Sequence, residues 1–502
     1  MGNIPQYKKL LSIYKDNVML GNVGSIVSWD YEVVMPKKAT RQRADEMGLF
    51  SGFLHERVTS PEIGNLLNEI KTHKNFEELP DNGKRNVELI QRDYDKATKI
   101  PKEFAQEITK HGALATENWK KAKSKADFSI FRDDLAKMIE LVKKKAHYFD
   151  SEKDPYDVLL DLYETGFSKA IYDKIFDEVK AGLVPIIKKI RDSPNQPDES
   201  LILRECPIEL QRKVVHDSVK LVHYDLEGGR VDEAVHPFTN GYYDDVRITV
   251  HYNPKDFTAA FYGGMHEAGH GIYEQNLPQE FKYLPIGQSS SSAMHEGQAR
   301  FIENIIGRSP EFWEYYLPKF KKLTGKVFAD VELNPFVNAI NRVQSSKIRI
   351  FADPVTYNMH IILRYEIEKD IFMDKITVDE IPEVWNSKIK EYLDIDIKND
   401  TEGCLQDTHW AWEYFAYFPT YALGSYYNAQ LVTTLTKDIP DWKDNMRQGK
   451  IKPIHDWLNK SIRHRAYLHD PLDLIKLVTG KDFSAEYFIK ATNEKYSKIY
   501  GF

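Results

Sequence analysis

Apolar residues recur at three- and four-residue spacing through most of this chain, set among Lys and Glu. That is the pattern of amphipathic helices packed by one face. The spacing predicts helices over Tyr7 to Leu20, Arg41 to Val58, Gly83 to Thr98, Lys102 to Lys123 and Phe131 to Phe149. The charged runs around Glu103 to Lys123 and Phe131 to Lys145 predict an antiparallel hairpin whose charge lies on a solvated face. Asp353-Pro354 predicts a helix start, with Asp as N-cap and Pro at the first helical position. Ser193 to Ser200, with Pro194 and Pro197, predicts a loop, and nothing there marks a domain boundary. Residues Gly229 to Asn253 break the helical pattern. Val246-Arg247-Ile248-Thr249-Val250 alternates and is rich in β-branched residues, which predicts a small sheet.

The helix after that sheet carries His266-Glu267-Ala268-Gly269-His270. Four residues turn about 400°, so the two histidines lie only about 40° apart on one face. Both imidazoles can reach one metal ion, and Glu267, about 100° round, can reach an open coordination position. A catalytic zinc site needs a third protein ligand, and Glu296, on the helix predicted from Ala293 to Ile306, completes a His2Glu set. Zinc would make a water molecule acidic near neutral pH, and Glu267 would take its proton and pass it to the leaving amine. Gly263, Gly264, Gly269 and Gly271 crowd the pentad, which is poor for an ordinary helix and fits close approach of neighbours. His295 stands open between a supporting role and a direct one. The polar-aromatic run Gln406-Asp407-Thr408-His409-Trp410 and the segment Tyr417-Phe418-Pro419-Thr420-Tyr421 could supply oxyanion donors. The residues alone assign neither.

Composition narrows the class. A net charge of -7 and a pI near 6.2 argue against a nucleic-acid partner. Two cysteines, Cys206 and Cys404, are too few for a disulfide framework and point to a reducing, cytoplasmic compartment. No signal-peptide pattern or membrane-length apolar run is visible. The 29 tyrosines and 25 phenylalanines fit either a large groove or aromatic helix packing. Length alone allows roughly three domains, but the absence of linkers predicts one large helical body over residues 1–502.

The ordered motifs then carry a resemblance. Trp29-Asp30 precedes Met35-Pro36, and Tyr156-Asp157 leads through Leu159-Leu160-Asp161 to Tyr163-Glu164 and Gly166. Next stand His236-Pro237-Phe238, Asp245-x-Arg247-x-Thr249, the pentad and His295-Glu296-Gly297-Gln298-Ala299-Arg300. Ile348-Arg349, Ala352-Asp353, Gly403-x-x-Gln406-Asp407-x-His409-Trp410 and Tyr417-Phe418-Pro419-Thr420-Tyr421 follow. In this the chain resembles the carboxypeptidase Taq family of metallocarboxypeptidases over nearly its whole length.

The resemblance implies one catalytic domain that is mainly α, shaped like neurolysin and angiotensin-converting enzyme. A deep substrate groove and a small three-stranded sheet would lie beside the zinc site, and the protein would commonly be a homodimer. It implies release of single C-terminal amino acids, with broad preference, from peptides with a free C-terminus, at a Zn2+ site where Co2+ can substitute. It supports His266, His270 and Glu296 as ligands and Glu267 as base. It assigns Arg349 to the substrate's terminal carboxylate, and His236, His409 and Tyr421 to contacts with substrate or transition state. Asp245, Arg247 and Thr249 form a motif that limits groove depth. Alternatives on the same zinc chemistry are an endo-oligopeptidase or a dipeptidase, and a non-catalytic peptide-binding homologue is a third. An aminopeptidase is disfavoured, because no Gly-x-Met-x-Asn segment precedes the pentad. The chain departs from the family pattern at Gly297, Ala299, Pro354, Glu413 and Ala416, where serine, serine, an acidic residue and two glycines are usual. Glu413 would add negative charge near the cleft and tilt preference toward basic C-terminal residues.

Overall fold

The periodic stretches form helices in a computed structural model that describes residues 4–502. Observed helices cover Thr40–Val58, Asp81–Thr98, Lys102–Lys125 and Ser129–Phe149, each within two residues of the expectation at both ends. The first helix is longer than its periodic part, Pro5–Val33. Beyond Leu20 its apolar residues spread over more than half the circumference, so no narrow face marks it in sequence. Lys102–Lys125 and Ser129–Phe149 form the expected hairpin, turned by Ala126 in the left-handed region (φ 54°). Asp353 caps a turn ahead of the helix: its carboxylate accepts the N–H groups of Val355 and Thr356, but the helix itself takes Thr356 as N-cap, so Pro354 is not at its first position. The regular helix begins just after that turn, at Tyr357.

The chain divides into two compact units, each assembled from three stretches. One comprises the residues up to Thr98, Asp198–Ile340 and Thr434–Gly480, and the other Lys99–Pro197, Asn341–Thr433 and Lys481–Phe502. One boundary, between Pro197 and Asp198, falls in the Ser193–Ser200 loop, where the sequence carries no mark of it.

In the first unit, β1 (Gly229–Glu233), β2 (Thr239–Tyr242) and β3 (Asp245–Val250) form a three-stranded sheet in the order β1-β3-β2. β1 runs parallel to the central β3 and β2 antiparallel to it. Val246, Ile248 and Val250 are buried on one face, as the alternation predicts. The sheet packs against the pentad helix, Phe257–Gln275. Asp256 caps that helix by accepting the Thr258 N–H at 2.9 Å. Its first turn is pinned by an aromatic core in which Phe257 meets Phe328 and Trp313 meets Phe336, both at 4.8 Å between centroids. Much of the aromatic content is therefore spent on packing. Among the described residues, no helix is long and apolar enough to cross a membrane.

Candidate metal centre

His266, Glu267 and His270 sit on the pentad helix, and Glu296 on the helix Ser292–Arg300. Gly269 lets the two helices meet: a Cβ there would lie 2.5 Å from the Ala299 Cα and 2.8 Å from the Gln298 carbonyl. Donor atoms of His266, His270 and Glu296 fall within 4.8 Å of one another. Glu296 Oε2 lies 3.6 Å from each histidine Nε2. Tetrahedral zinc with bonds of 2.0–2.2 Å separates its donors by about 3.3–3.6 Å. Two imidazoles and a carboxylate at this spacing fit a divalent ion.

The surrounding groups fix the donor atoms. His266 Nδ1 faces Glu303 Oε2 at 3.1 Å, which leaves Nε2 for the ion. His270 Nδ1 meets His295 Nδ1 at 2.5 Å, and His295 Nε2 reaches Glu274 at 2.9 Å. A proton on His270 Nδ1 is thus accepted by His295, which donates in turn to Glu274. His295 supports a histidine in place of offering a fourth donor to the same three-residue set. Arg300 Nε donates to Glu296 Oε1 at 2.6 Å, occupying the oxygen that faces away from the histidines. Burial works to raise the Glu296 carboxyl, but Arg300 and both histidines hold it well below its ordinary value. Burial lowers His270 to about 3. It acts the same way on His266, where Glu296 and Glu303 overcome it and raise the group to about 9.

Glu303 comes from a turn the sequence did not foretell. The predicted helix to Ile306 is α-helical only to Arg300 and continues as a π-helical turn, Phe301–Ile306. Such turns widen the helix and re-aim side chains near functional sites. Glu303 is two turns beyond Glu296, a spacing that could have singled it out. Glu267 is buried, and burial raises its carboxyl. The Thr239 hydroxyl on β2 donates to Glu267 Oε2 at 2.7 Å.

The remaining first-unit residues surround the sheet. His236 is exposed on the loop after β1. Thr249 is buried, and its hydroxyl accepts the Phe238 N–H at 2.8 Å, which anchors the His236-Pro237-Phe238 loop. Asp245 takes Arg247 bidentately at 2.7 and 2.8 Å, and the guanidinium stacks 4.6 Å from the Trp29 ring.

Arg349, His409 and Tyr421 come together within the second unit. Arg349 donates through Nε and Nη2 to Asp407, at 3.2 and 3.1 Å, and through Nη1 to the Tyr357 hydroxyl at 2.9 Å. Its guanidinium lies 5.3 Å from the Phe418 ring and 5.6 Å from Tyr421. Asp407 also accepts from the fully buried Arg364. Burial works to raise Asp407, but Arg364 and Arg349 hold it far below the ordinary carboxylate range. His409 packs 4.6 Å from Phe418, and burial lowers it to about 4, so the ring is neutral at pH 7.

The model of the carboxypeptidase Taq (M32) metallopeptidases matches residues 9–496. The chain belongs to that family. It is 38% identical to carboxypeptidase 1 of Bacillus subtilis over 98% of this chain and 97% of that protein. Thermostable carboxypeptidase 1 of Thermus thermophilus is 34% identical over 99% of both chains. The M32 carboxypeptidase structure from Deinococcus radiodurans R1 superposes with a TM-score of 0.96 at 29% identity, covering 99% of this chain and 100% of that one. This M32 protein is accordingly a peptide hydrolase that uses a metal ion.

Two of its departures from the family pattern have a backbone signature. Glu413 and Ala416 both sit at positive φ, 63° and 62°, where glycine carries no Cβ penalty. Glu413 is also paired with Lys145, Oε2 to Nζ 2.9 Å. Ala299 keeps a small side chain where the two ligand-bearing helices touch.

Proposed function

We propose that this M32 protein is a zinc-dependent carboxypeptidase that releases single C-terminal residues from peptides with broad preference, with Glu267 as general base. The observation that carries the reading is the His266–His270–Glu296 donor set, all within 4.8 Å and with Glu296 3.6 Å from each imidazole, with the Glu267 carboxylate one residue from His266. A bound zinc ion supplies Lewis-acid polarisation and lowers the pKa of a coordinated water toward about 7. Glu303 and the His295–Glu274 pair hold the two imidazoles with Nε2 presented. Thr239 holds Glu267 Oε2, so Oε1 receives the proton of the attacking water and later gives it to the leaving amine. Asp407 occupies the Nε–Nη2 edge of Arg349 and turns the outer guanidinium protons toward a terminal carboxylate, a bidentate match in charge and shape. The buried, unpaired thiols of Cys206 and Cys404 support a reducing, cytoplasmic setting. The family resemblance supports a homodimer.

The test joins metal analysis to peptide digestion. Glu267→Gln is expected to retain stoichiometric metal and lose at least a thousandfold in kcat, because the ligands remain and the base is gone. The wild type is expected to give stepwise C-terminal ladders and to spare C-terminally amidated peptides. Retained turnover in Glu267→Gln removes the mechanism, and internal cleavage removes the exopeptidase reading.

A further inference from the structure

Arg463 is completely buried, and no carboxylate pairs with it among the described residues. Its Nε donates to Gln298 Oε1 at 2.9 Å. Its Nη1 reaches His455 Nδ1 at 3.1 Å and Asn459 Oδ1 at 3.0 Å. His455 is kept neutral, first by burial and then by the guanidinium itself, so it accepts a hydrogen bond without cancelling the charge. Burial lowers Arg463 to about 9, which leaves it cationic at neutral pH.

The groups left over around it are donors. Among the described residues Arg463 Nη2 has no partner, nor has Gln298 Nε2, whose orientation is fixed because the amide oxygen already serves Arg463 Nε. The Tyr273 hydroxyl lies within electrostatic reach of the guanidinium and beside Ser290. The Ser290 N–H and hydroxyl approach the Tyr273 oxygen, and neither hydroxyl has a further partner among the described residues. All four side chains are sealed from solvent. A water molecule there could donate to the hydroxyl oxygens but would leave the guanidinium charge uncompensated. A buried cation is ordinarily matched by an opposite charge.

We propose that Arg463, Gln298, Tyr273 and Ser290 form a buried site for one small monovalent anion of halide type. One negative charge neutralises Arg463, whereas a divalent anion would leave a net charge in the interior. Full burial limits the size. The site joins three parts of the first unit. Tyr273 lies one turn beyond His270 on the pentad helix, Gln298 follows Glu296 on the next helix, and Arg463 belongs to the turn after Lys452–Ser461. Occupancy would clamp the two ligand-bearing helices to the later segment.

The metal-loaded full chain is melted in potassium chloride, bromide or gluconate at equal ionic strength. The expected result is a saturable rise in Tm with chloride and bromide that gluconate does not give. Crystals grown in bromide should show an anomalous peak bounded by Arg463 Nη2, Gln298 Nε2 and the Tyr273 oxygen. Arg463→Met should abolish the halide dependence, and Tyr273→Phe should raise the half-saturating halide concentration severalfold. If Arg463→Met does not fold, Tyr273→Phe and the bromide map decide. Equal melting in halide and gluconate with no anomalous peak at the site overturns the proposal. So does a halide response unchanged in the variants.

Discussion

Asp407 lies between Arg349 and Arg364 and meets both, so its charge organises the guanidinium proposed to read the substrate terminus. Asp407→Asn keeps the shape but leaves two buried cations without their shared anion. Breaking such a buried pair costs about 3–5 kcal/mol. We expect KM for free-C-terminus peptides to rise at least tenfold while kcat falls less. A merely structural loss would instead lower the active fraction and leave KM alone, so steady-state kinetics beside a thermal melt separates the two. Glu413→Gly tests a second residue. Removing the Cβ from a left-handed backbone relieves about 1–2 kcal/mol, offset by roughly 0.2–1 kcal/mol from the lost Lys145 pair. The Tm should therefore rise slightly. Because Lys145 already offsets the carboxylate, the preference between basic and apolar C-terminal residues should change less than threefold. A tenfold shift, measured on matched peptides, would restore Glu413 as a determinant of specificity. Asp407 stands in plain view in the Gln406-Asp407 run, yet its role is invisible there. Its partners lie far away in sequence, and pairing is a property of the folded chain.

Among the elements, the junction between Phe257–Gln275 and Ser292–Arg300 carries the candidate metal set, and Gly269 fixes its spacing. An alanine Cβ would strike backbone, which cannot rotate away as a side chain can. Gly269→Ala should separate the helices, widen the 3.6 Å gaps around Glu296 and cost about 1–3 kcal/mol through overpacking. Metal content after dialysis should fall with Tm; full metal retention would show that the helices tolerate the shift. That His266 and His270 share one face was legible because a helical turn places side chains by spacing alone. The central strand was legible because Val246, Ile248 and Val250 alternate. The π-helical turn at Phe301–Ile306 was not, since Phe301, Ile302, Ile305 and Ile306 recur at four- and five-residue spacing, which an α-helix accommodates as well. Glu303 was missed with it. The later half of Pro5–Val33 was hidden because its apolar residues do not keep to one narrow face.

At the scale of the molecule, each unit is stitched from three stretches, and one change of unit falls inside the helix Pro419–Asp438, between Thr433 and Thr434. No local composition signal can mark a boundary inside a continuous helix, so the sequence reads as one body. Stability also depends on groups that the fold takes out of water. In the second unit Glu368 accepts from the Tyr156 hydroxyl (2.9 Å), the Trp410 indole (2.7 Å) and the Ala416 N–H (2.7 Å), which ties the strained 409–416 segment to the interior. Burial outweighs these donors and raises its carboxyl from 4.5 to about 7. Between those values the unfolded chain has lost the proton that the folded chain keeps, so folding stability must fall as pH rises. The contribution is complete below pH 4.5, declines through the window and is gone above about 7, a total of roughly 3 kcal/mol. Asp407 titrates far below this window and does not oppose the trend within it. Calorimetry from pH 5 to 8 should therefore show a downward component in Tm that Glu368→Gln removes, since the amide cannot titrate. If the variant keeps the wild-type slope, the proton is held elsewhere and the burial of Glu368 is not what sets the pH dependence of this fold.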